Sequence, residues 1–370
     1  MNSVIPDISI IVPVYNTASY LVRCLDSIYQ QPCPGLIEVI VLDAASTDNS
    51  LAVLEEYRAT HNSLKIIRHE KRETLSTSRV VGMKAASGEY IMHVDSDDWL
   101  LAGSLEKIFS HIRGKNSQAD AIVFNYVRTD SAGQVRELAL FGNDDCTTDK
   151  CKVQKYFFST CWNKVVRRSL VQDMIYGVRP ITIEEDLIYS QEILLRANTV
   201  CLSTDRIYSY FVNVESLTNT IEPRHYMGMR VQQLEVLKEL FIRYHADQKL
   251  RMRVFNYFEK FFHLELSRIY LFNGKKLDAK NKIVKELENV GILSEKTINR
   301  IKGSMDGKLK CLRNLHRFYG TKFLMWSLLR SATGYGFAEP LNGQVFYRLL
   351  QAIGDYPVRI IRRKFSKTNN

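Results

Sequence analysis

A chain of 370 residues with 45% hydrophobic and 25% charged residues has ordinary globular composition, long enough to bury a large core and unlike a disordered or fibrous chain. Its net charge of +11 is unevenly placed: residues 1–222 carry an acidic excess and residues 223–370 a strongly basic one, which points the second half towards a polyanion. Seven cysteines without a Cys-x-x-Cys pair and eight histidines without metal spacing exclude a zinc framework, and the cysteines read as reduced thiols of a cytosolic protein.

The first seven residues lack the basic-then-apolar pattern of a signal peptide. Ile8 to Val14 is a β-branched run, the mark of a buried strand. Ser19 to Gln31 follows with Leu21, Cys24, Leu25 and Ile28 at helical spacing. Strands are expected over 37–42, 64–68, 90–94 and 121–124, with helices over 49–60, 76–86 and 104–113 between them. This alternation predicts βαβ units and a Rossmann-like, mainly parallel sheet with helices on both faces. From Arg224 onward strands give way to helical spacing, with helices expected over 249–272 and 276–290, the second stopping at Gly291. The chain therefore reads as an α/β domain over 1–222, a helical domain over 223–335 and an amphipathic basic tail over 336–370. No run of 18 apolar residues is present to span a bilayer. In the tail, Val345, Phe346, Leu349, Leu350 and Ile353 form one helical face before Pro357, and Arg359, Arg362, Arg363, Lys364 and Lys367 follow. Two readings stay open for it: a helix packed on the protein body, or an anchor on an anionic membrane.

The densest chemistry lies in Tyr90–Trp99, where an apolar strand runs into Asp95, Asp97 and Asp98. Carboxylates crowded at a strand end repel one another unless a cation neutralises them. Asp95 and Asp97, one residue apart, can reach past the strand towards one divalent ion. The plainer reading is a solvated turn with an Asp cap on the helix that follows. In parallel sheets ligands bind beyond the carboxyl ends of the strands, and Tyr15, Asp43 and Asp95 each fall just past one. Glu184-Glu185-Asp186 precedes an apolar helical run; alone, it reads as an acidic first turn favoured by the helix dipole.

Several motifs together resemble a known family. Ile10-Ile11-Val12-Pro13-Val14-Tyr15-Asn16, Leu42-Asp43-Ala44-Ala45-Ser46-Thr47-Asp48, Ala86-Ser87-Gly88-Glu89-Tyr90-Ile91 and Asp95-Ser96-Asp97-Asp98 occur in order, followed by Trp162-Asn163-Lys164 and Glu184-Glu185-Asp186. This series is similar to family 2 glycosyltransferases, inverting enzymes of the GT-A fold, over roughly residues 8–220. The resemblance implies a hexosyl-transferring enzyme of bacterial surface-polysaccharide or capsule synthesis. It implies a nucleotide-diphospho sugar donor, a UDP-sugar, met by Pro13, Tyr15, Asn16, Asp43, Asp48, Arg79, Asp95 and Ser96. It implies Mn²⁺ or Mg²⁺ held by Asp97 with Asp95, and Asp186 as general base with Glu185 as its neighbouring fallback. Trp162, Lys164 and Glu185 are then expected at the acceptor, a glycan or lipid-linked chain. Asp98 is expected to cap or orient the next helix, and Arg79 either assists the donor or pairs with a site carboxylate. The chain departs from the family pattern where Ala44 and Ala45 follow Asp43 and where Val80 follows Arg79.

Three other functions are weighed against this. A sugar-nucleotide pyrophosphorylase would carry a glycine-rich phosphate loop after the first strand, where this chain has Val12-Pro13-Val14-Tyr15-Asn16. A catalytically degenerate domain that binds a glycan or partner has Ala44 in its favour, and Asp95, Asp97 and Asp186 against it. Nucleic-acid binding by the basic half is set aside, because its aromatics fall at helical core spacing and are not interleaved with Lys and Arg. The expected location is cytoplasmic, peripheral on the inner face of the cell membrane.

Overall fold

Four apolar runs near the N-terminus form parallel strands: β1 (Ile8–Val14), β2 (Ile37–Asp43), β3 (Leu64–Arg68) and β4 (Tyr90–His93). Ile11 pairs with Ile40 on one side and His93 on the other, and Val41 with Ile66, giving the order β3-β2-β1-β4. Every residue of β1, and six of seven in β2, is buried. Side chains alternate between faces along a strand, so burial at consecutive positions means both faces are covered. The computed structural model describes residues 5–138, 140–157, 160–177, 185–212, 233, 235–251, 253, 254, 299 and 303.

The helices α1 (Ala18–Tyr29), α2 (Ser50–Thr60) and α3 (Leu75–Ala85) connect these strands. α1 buries the stripe Leu21, Cys24, Leu25 and Ile28 that its spacing predicts. α3 starts at Thr74, whose hydroxyl accepts from the Thr77 amide at 3.2 Å. It packs against β1 and β2 through Gly82, where an added Cβ would stand 2.5 Å from Ile11 Cγ2. That close approach brings Arg79, one turn earlier, under the sheet edge.

Beyond β4 the sheet is mixed. It continues through β9 (Lys164–Arg167), β6 (Ala121–Thr129), β10 (Val200–Phe211) and the short β5 (Trp99–Leu100). β9 runs antiparallel to both β4 and β6, whereas β6 and β10 are parallel. β7 (Val135–Leu138) and β8 (Asp145–Thr147) add antiparallel partners to β6 and β10. α4 (Ser104–Ser110) packs on β10, the short α5 (Lys150–Val153) lies beside β8, and α6 (Glu185–Arg196) precedes β10.

One expectation is corrected. Cys146 and Cys201 are directly opposed in the β8–β10 pair and are joined by a disulfide, so the seven cysteines are not all reduced thiols. The pairing of a three-residue strand with a partner 55 residues away set this, and nothing in the local spacing reports it. Cys24 and Cys161 are free and buried, Cys33 is free and exposed, and Cys151 is buried.

The chain divides into two compact units, Met1–Asn213 with Glu239–Ala246, and Val214–Lys238 with Asp247–Asn370. In the first unit, Tyr244 donates to Glu192 of α6 at 2.9 Å. In the second, residues 248–251, 253 and 254 are helical where a helix was expected from Lys249. The expected boundaries at 222/223 and 335/336, the helix over 276–290 and the tail lie outside the described residues. Among the described residues no helix is long and apolar enough to cross a membrane.

Candidate active site

Loops at the carboxyl ends of β1, β2 and β4 meet at one edge of the sheet. The first two are tied together: Asn16 Oδ1 accepts from the Thr47 amide at 2.8 Å, and the Asn16 amide donates to Ser46 Oγ at 3.1 Å. Asn16 and Ala45 both hold positive φ, 54° and 59°, a left-handed conformation that turns each loop sharply off its strand. Pro13 lies within buried β1. Asp48 fixes the helices behind these loops, accepting from Ala18 N at 3.0 Å and Ser50 N at 2.9 Å.

Asp43 is fully buried at the end of β2. Its Oδ1 accepts from Ser46 N at 3.0 Å, while Oδ2 has no hydrogen-bond donor and only the Arg68 guanidinium near it at 3.5 Å. A buried carboxylate oxygen without a donor is costly, and a ligand N–H satisfies it. The half-buried Tyr15 ring stands near this loop system with the Arg72 guanidinium 4.4 Å from its centroid.

The second half of the site centres on Arg79. Its side chain is 1% exposed and binds three carboxylates from two other elements. Nη2 donates to Asp95 Oδ1 at 2.6 Å, Nη1 to Asp186 Oδ1 at 3.1 Å, and Nη1 also to Glu185 Oε1. Of the two alternatives for Arg79, the pairing with site carboxylates is the arrangement observed. Glu185 and Asp186 form the first turn of α6, where the helix dipole favours acids. They differ in access: the Glu185 side chain is 4% exposed and that of Asp186 21%. Burial pushes Asp95 up to about 6, with Asp186 and Asp97 adding to the rise and Arg79 opposing it. A quarter of the Asp95 side chain still reaches solvent.

Asp97 is partly exposed on the same loop. Asp98 is buried and turned away: Oδ2 accepts from the Tyr208 hydroxyl at 2.8 Å and Oδ1 from Phe211 N at 2.7 Å. It therefore anchors the loop to β10 and does not cap the next helix, whose N-cap position is Gly103. The Tyr208 hydroxyl also accepts from Asp95 N at 3.0 Å, and Ser96 is buried with its hydroxyl accepting from Thr17 Oγ1 at 3.0 Å.

A divalent cation fits this donor set in one way. Among the described residues no group of three or more His, Cys, Asp or Glu side chains is placed to hold a metal. Asp95 and Asp97 offer hard carboxylate oxygens. A site of one or two carboxylates completed by phosphate oxygens and water suits Mg²⁺ or Mn²⁺.

The residues expected at the acceptor lie deeper than the carboxylates. Trp162 is 4% exposed, stacked on Tyr208 at 4.3 Å and Tyr210 at 5.6 Å, with Tyr126 edge-on at 4.7 Å. Lys164 is 1% exposed, donating to Asn163 Oδ1 at 2.9 Å and to the Thr160 carbonyl. Burial brings its ammonium down to about 8, with the Asp186 carboxylate among the groups opposing the fall. Sequence reading did not single out Tyr208, Arg68 or Arg72 for the site; Tyr208 lies 110 residues from Asp98, beyond any local signal.

The mixed α/β sheet with its helices has a GT-A type architecture. The same fold is seen in the crystal structure of Staphylococcus aureus TarS 1–349 in complex with UDP-GlcNAc. The two superpose with a TM-score of 0.59 at 19% identity, over 91% of this chain and 95% of that one. Residues 9–175 match the sequence model described as Glycosyl transferase family 2, and this N-terminal domain belongs to that family. Glycosyltransferase GlyG of Streptococcus pneumoniae is 32% identical over 142 residues, 38% of this chain and 46% of GlyG. The poly(ribitol-phosphate) beta-N-acetylglucosaminyltransferase TarS of Staphylococcus aureus is 27% identical over 249 residues, 65% of this chain and 42% of TarS. The chain thus spans under half the length of each of these two relatives.

Proposed function

We propose that the chain is an inverting glycosyltransferase that moves a sugar from a UDP-sugar to a glycan or lipid-linked acceptor in surface-polysaccharide synthesis. The observation that carries this reading is the Arg79 cluster, which gathers Asp95 from the loop after β4 and Glu185 and Asp186 from α6 beside the loops of Tyr15 and Asp43. A donor-binding edge and a carboxylate suited to act as base are thereby joined by one side chain.

In this reading Asp43 Oδ2 accepts the imide N–H of uracil, and Tyr15 and the Asn16 loop line the nucleoside. Asp95 meets the ribose, and Asp97 with Asp95 would hold Mn²⁺ or Mg²⁺. When bound, that cation acts as a Lewis acid on the departing diphosphate. Asp186, the more accessible of the two α6 carboxylates, takes the proton of the acceptor hydroxyl. The hydroxyl oxygen bonds to the anomeric carbon as the bond from that carbon to the phosphate oxygen breaks, and UDP leaves with the electron pair. Glu185 and Arg79 hold Asp186 in place; Asp48 and Ser96 hold the donor loops; Lys164 and Trp162 support the acceptor side from beneath. The basic tail keeps the enzyme on the cytoplasmic face of an anionic membrane, where a lipid-linked acceptor is found.

Asp186→Asn preserves shape and removes the base. Transfer is expected to fall by at least about 100-fold while UDP binding by calorimetry is retained. Turnover near the native value in the folded variant would remove Asp186 from the mechanism.

A further inference from the structure

The acidic loop is held along its length by one face of α1 and the residues flanking it. Thr17 Oγ1 donates to Ser96 Oγ at 3.0 Å, Cys24 Sγ to the Asp95 carbonyl at 3.6 Å and Arg23 Nη2 to the Asp97 carbonyl at 2.8 Å. Further along, Ser27 Oγ accepts from Leu100 N at 3.0 Å and Gln31 Oε1 from Leu105 N at 3.0 Å. Positions three and four apart share a helix face, so these contacts fall where a straight helix meets a chain running beside it.

Of the five, Arg23 is the one that meets Asp97, and its guanidinium is itself confined. Its Cζ lies 3.9 Å from the centroid of Trp99, 4.7 Å from Phe211 and 5.9 Å from Tyr20. Those rings come from β5, the end of β10 and α1. The same β10 end receives the Asp98 carboxylate at Phe211 N and Tyr208 Oη. The backbone around Asp97 is therefore bracketed: Thr17 holds the Ser96 hydroxyl before it, Arg23 holds its own carbonyl to α1, and the Asp98 carboxylate ties the residue after it to β10. A side chain whose backbone is fixed on both sides has few directions left in which to point.

We propose that Arg23 is a positioning residue for Asp97, fixing the loop so that the Asp97 carboxylate is presented to the divalent cation brought by a nucleoside diphosphate. This rests on the reading of Asp95 and Asp97 as cation ligands. Arg23 needs to touch neither cation nor donor. It acts through a carbonyl, and its planar guanidinium suits the task because it stacks on an indole and donates in plane at once. A lysine ammonium keeps the charge without that fixed direction.

The test measures Mn²⁺ binding by the full-length protein in the presence of UDP, following free Mn²⁺ by electron paramagnetic resonance, beside thermal unfolding with and without UDP. Arg23→Met is expected to weaken UDP-dependent Mn²⁺ binding by about 10- to 100-fold, the range for partners that orient metal ligands. Its melting temperature without ligand and its shift with UDP alone should stay close to native. Arg23→Lys should lose several-fold and serves in place of Arg23→Met if the latter does not fold. A native Mn²⁺ titration in either folded variant overturns the proposal, whatever the change in melting temperature, since Arg23 would then serve packing only. Absence of UDP-dependent Mn²⁺ binding in the native protein instead removes the cation-site reading itself, and the role of Arg23 with it.

Discussion

Arg79 is the residue on which the site balances. Three carboxylates converge on a guanidinium that is 1% exposed. Burying one charge among partners of opposite sign is tolerable only while all the partners remain. Replacing it by a methionine of similar length leaves Asp95, Glu185 and Asp186 without that counter-charge. Arg79→Met is therefore expected to lower stability by about 3–5 kcal/mol in urea denaturation. An unchanged midpoint would show that these contacts are not made in solution. Sequence reading offered two roles for Arg79, since it stands on a helix 106 residues from Glu185 and no periodicity connects them. Tyr15, Asp43 and Asp95 were easier, because each follows directly on an apolar strand. Trp162 was the hardest: a lone indole in a sequence does not reveal that Tyr126, Tyr208 and Tyr210 surround it.

Among elements, β1, β2 and β4 are joined at their amino ends by a second buried carboxylate, far along the strands from the site. Glu38 Oε1 accepts from Ser9 Oγ at 2.5 Å, Ser87 N at 2.6 Å and Gly88 N at 3.1 Å, and Oε2 from Lys65 Nζ at 2.5 Å. Burial alone would raise this carboxyl, but the hydrogen bonds from Lys65, Ser9 and Ser87 outweigh it and hold it down to about 2. A folded-state pKa below the unfolded value means that the ionised form stabilises the fold above about pH 4.5, and that this contribution is lost as pH falls towards 2. Glu38→Gln should flatten the fall of the denaturation midpoint between about pH 5 and pH 2. A variant whose midpoint keeps the native pH dependence would contradict this assignment. The strands it joins were plain in the sequence as β-branched runs. β5, β8 and β9, with two, three and four residues, are too short for a period to register, so the antiparallel insertion of β9 and the Cys146–Cys201 pairing depended on tertiary contacts.

At the scale of the whole chain, an acidic α/β half precedes a basic half. Attraction of the tail to anionic lipid would add to burial of its apolar face. Removal of residues 340–370 is expected to reduce cosedimentation with anionic vesicles while leaving turnover on a soluble acceptor analogue near native; equal vesicle binding by the truncated protein would contradict an anchoring role. The central claim is that the carboxyl edge of the N-terminal sheet binds a nucleoside diphosphate through a cation at Asp95 and Asp97, within reach of Asp186. A crystal soaked with UDP and Mn²⁺ tests it most directly, by anomalous scattering. The expected peak lies about 2.0–2.3 Å from an Asp97 carboxylate oxygen, with diphosphate oxygens around it and uracil against Asp43. Manganese and UDP bound together anywhere else on the protein would contradict the account.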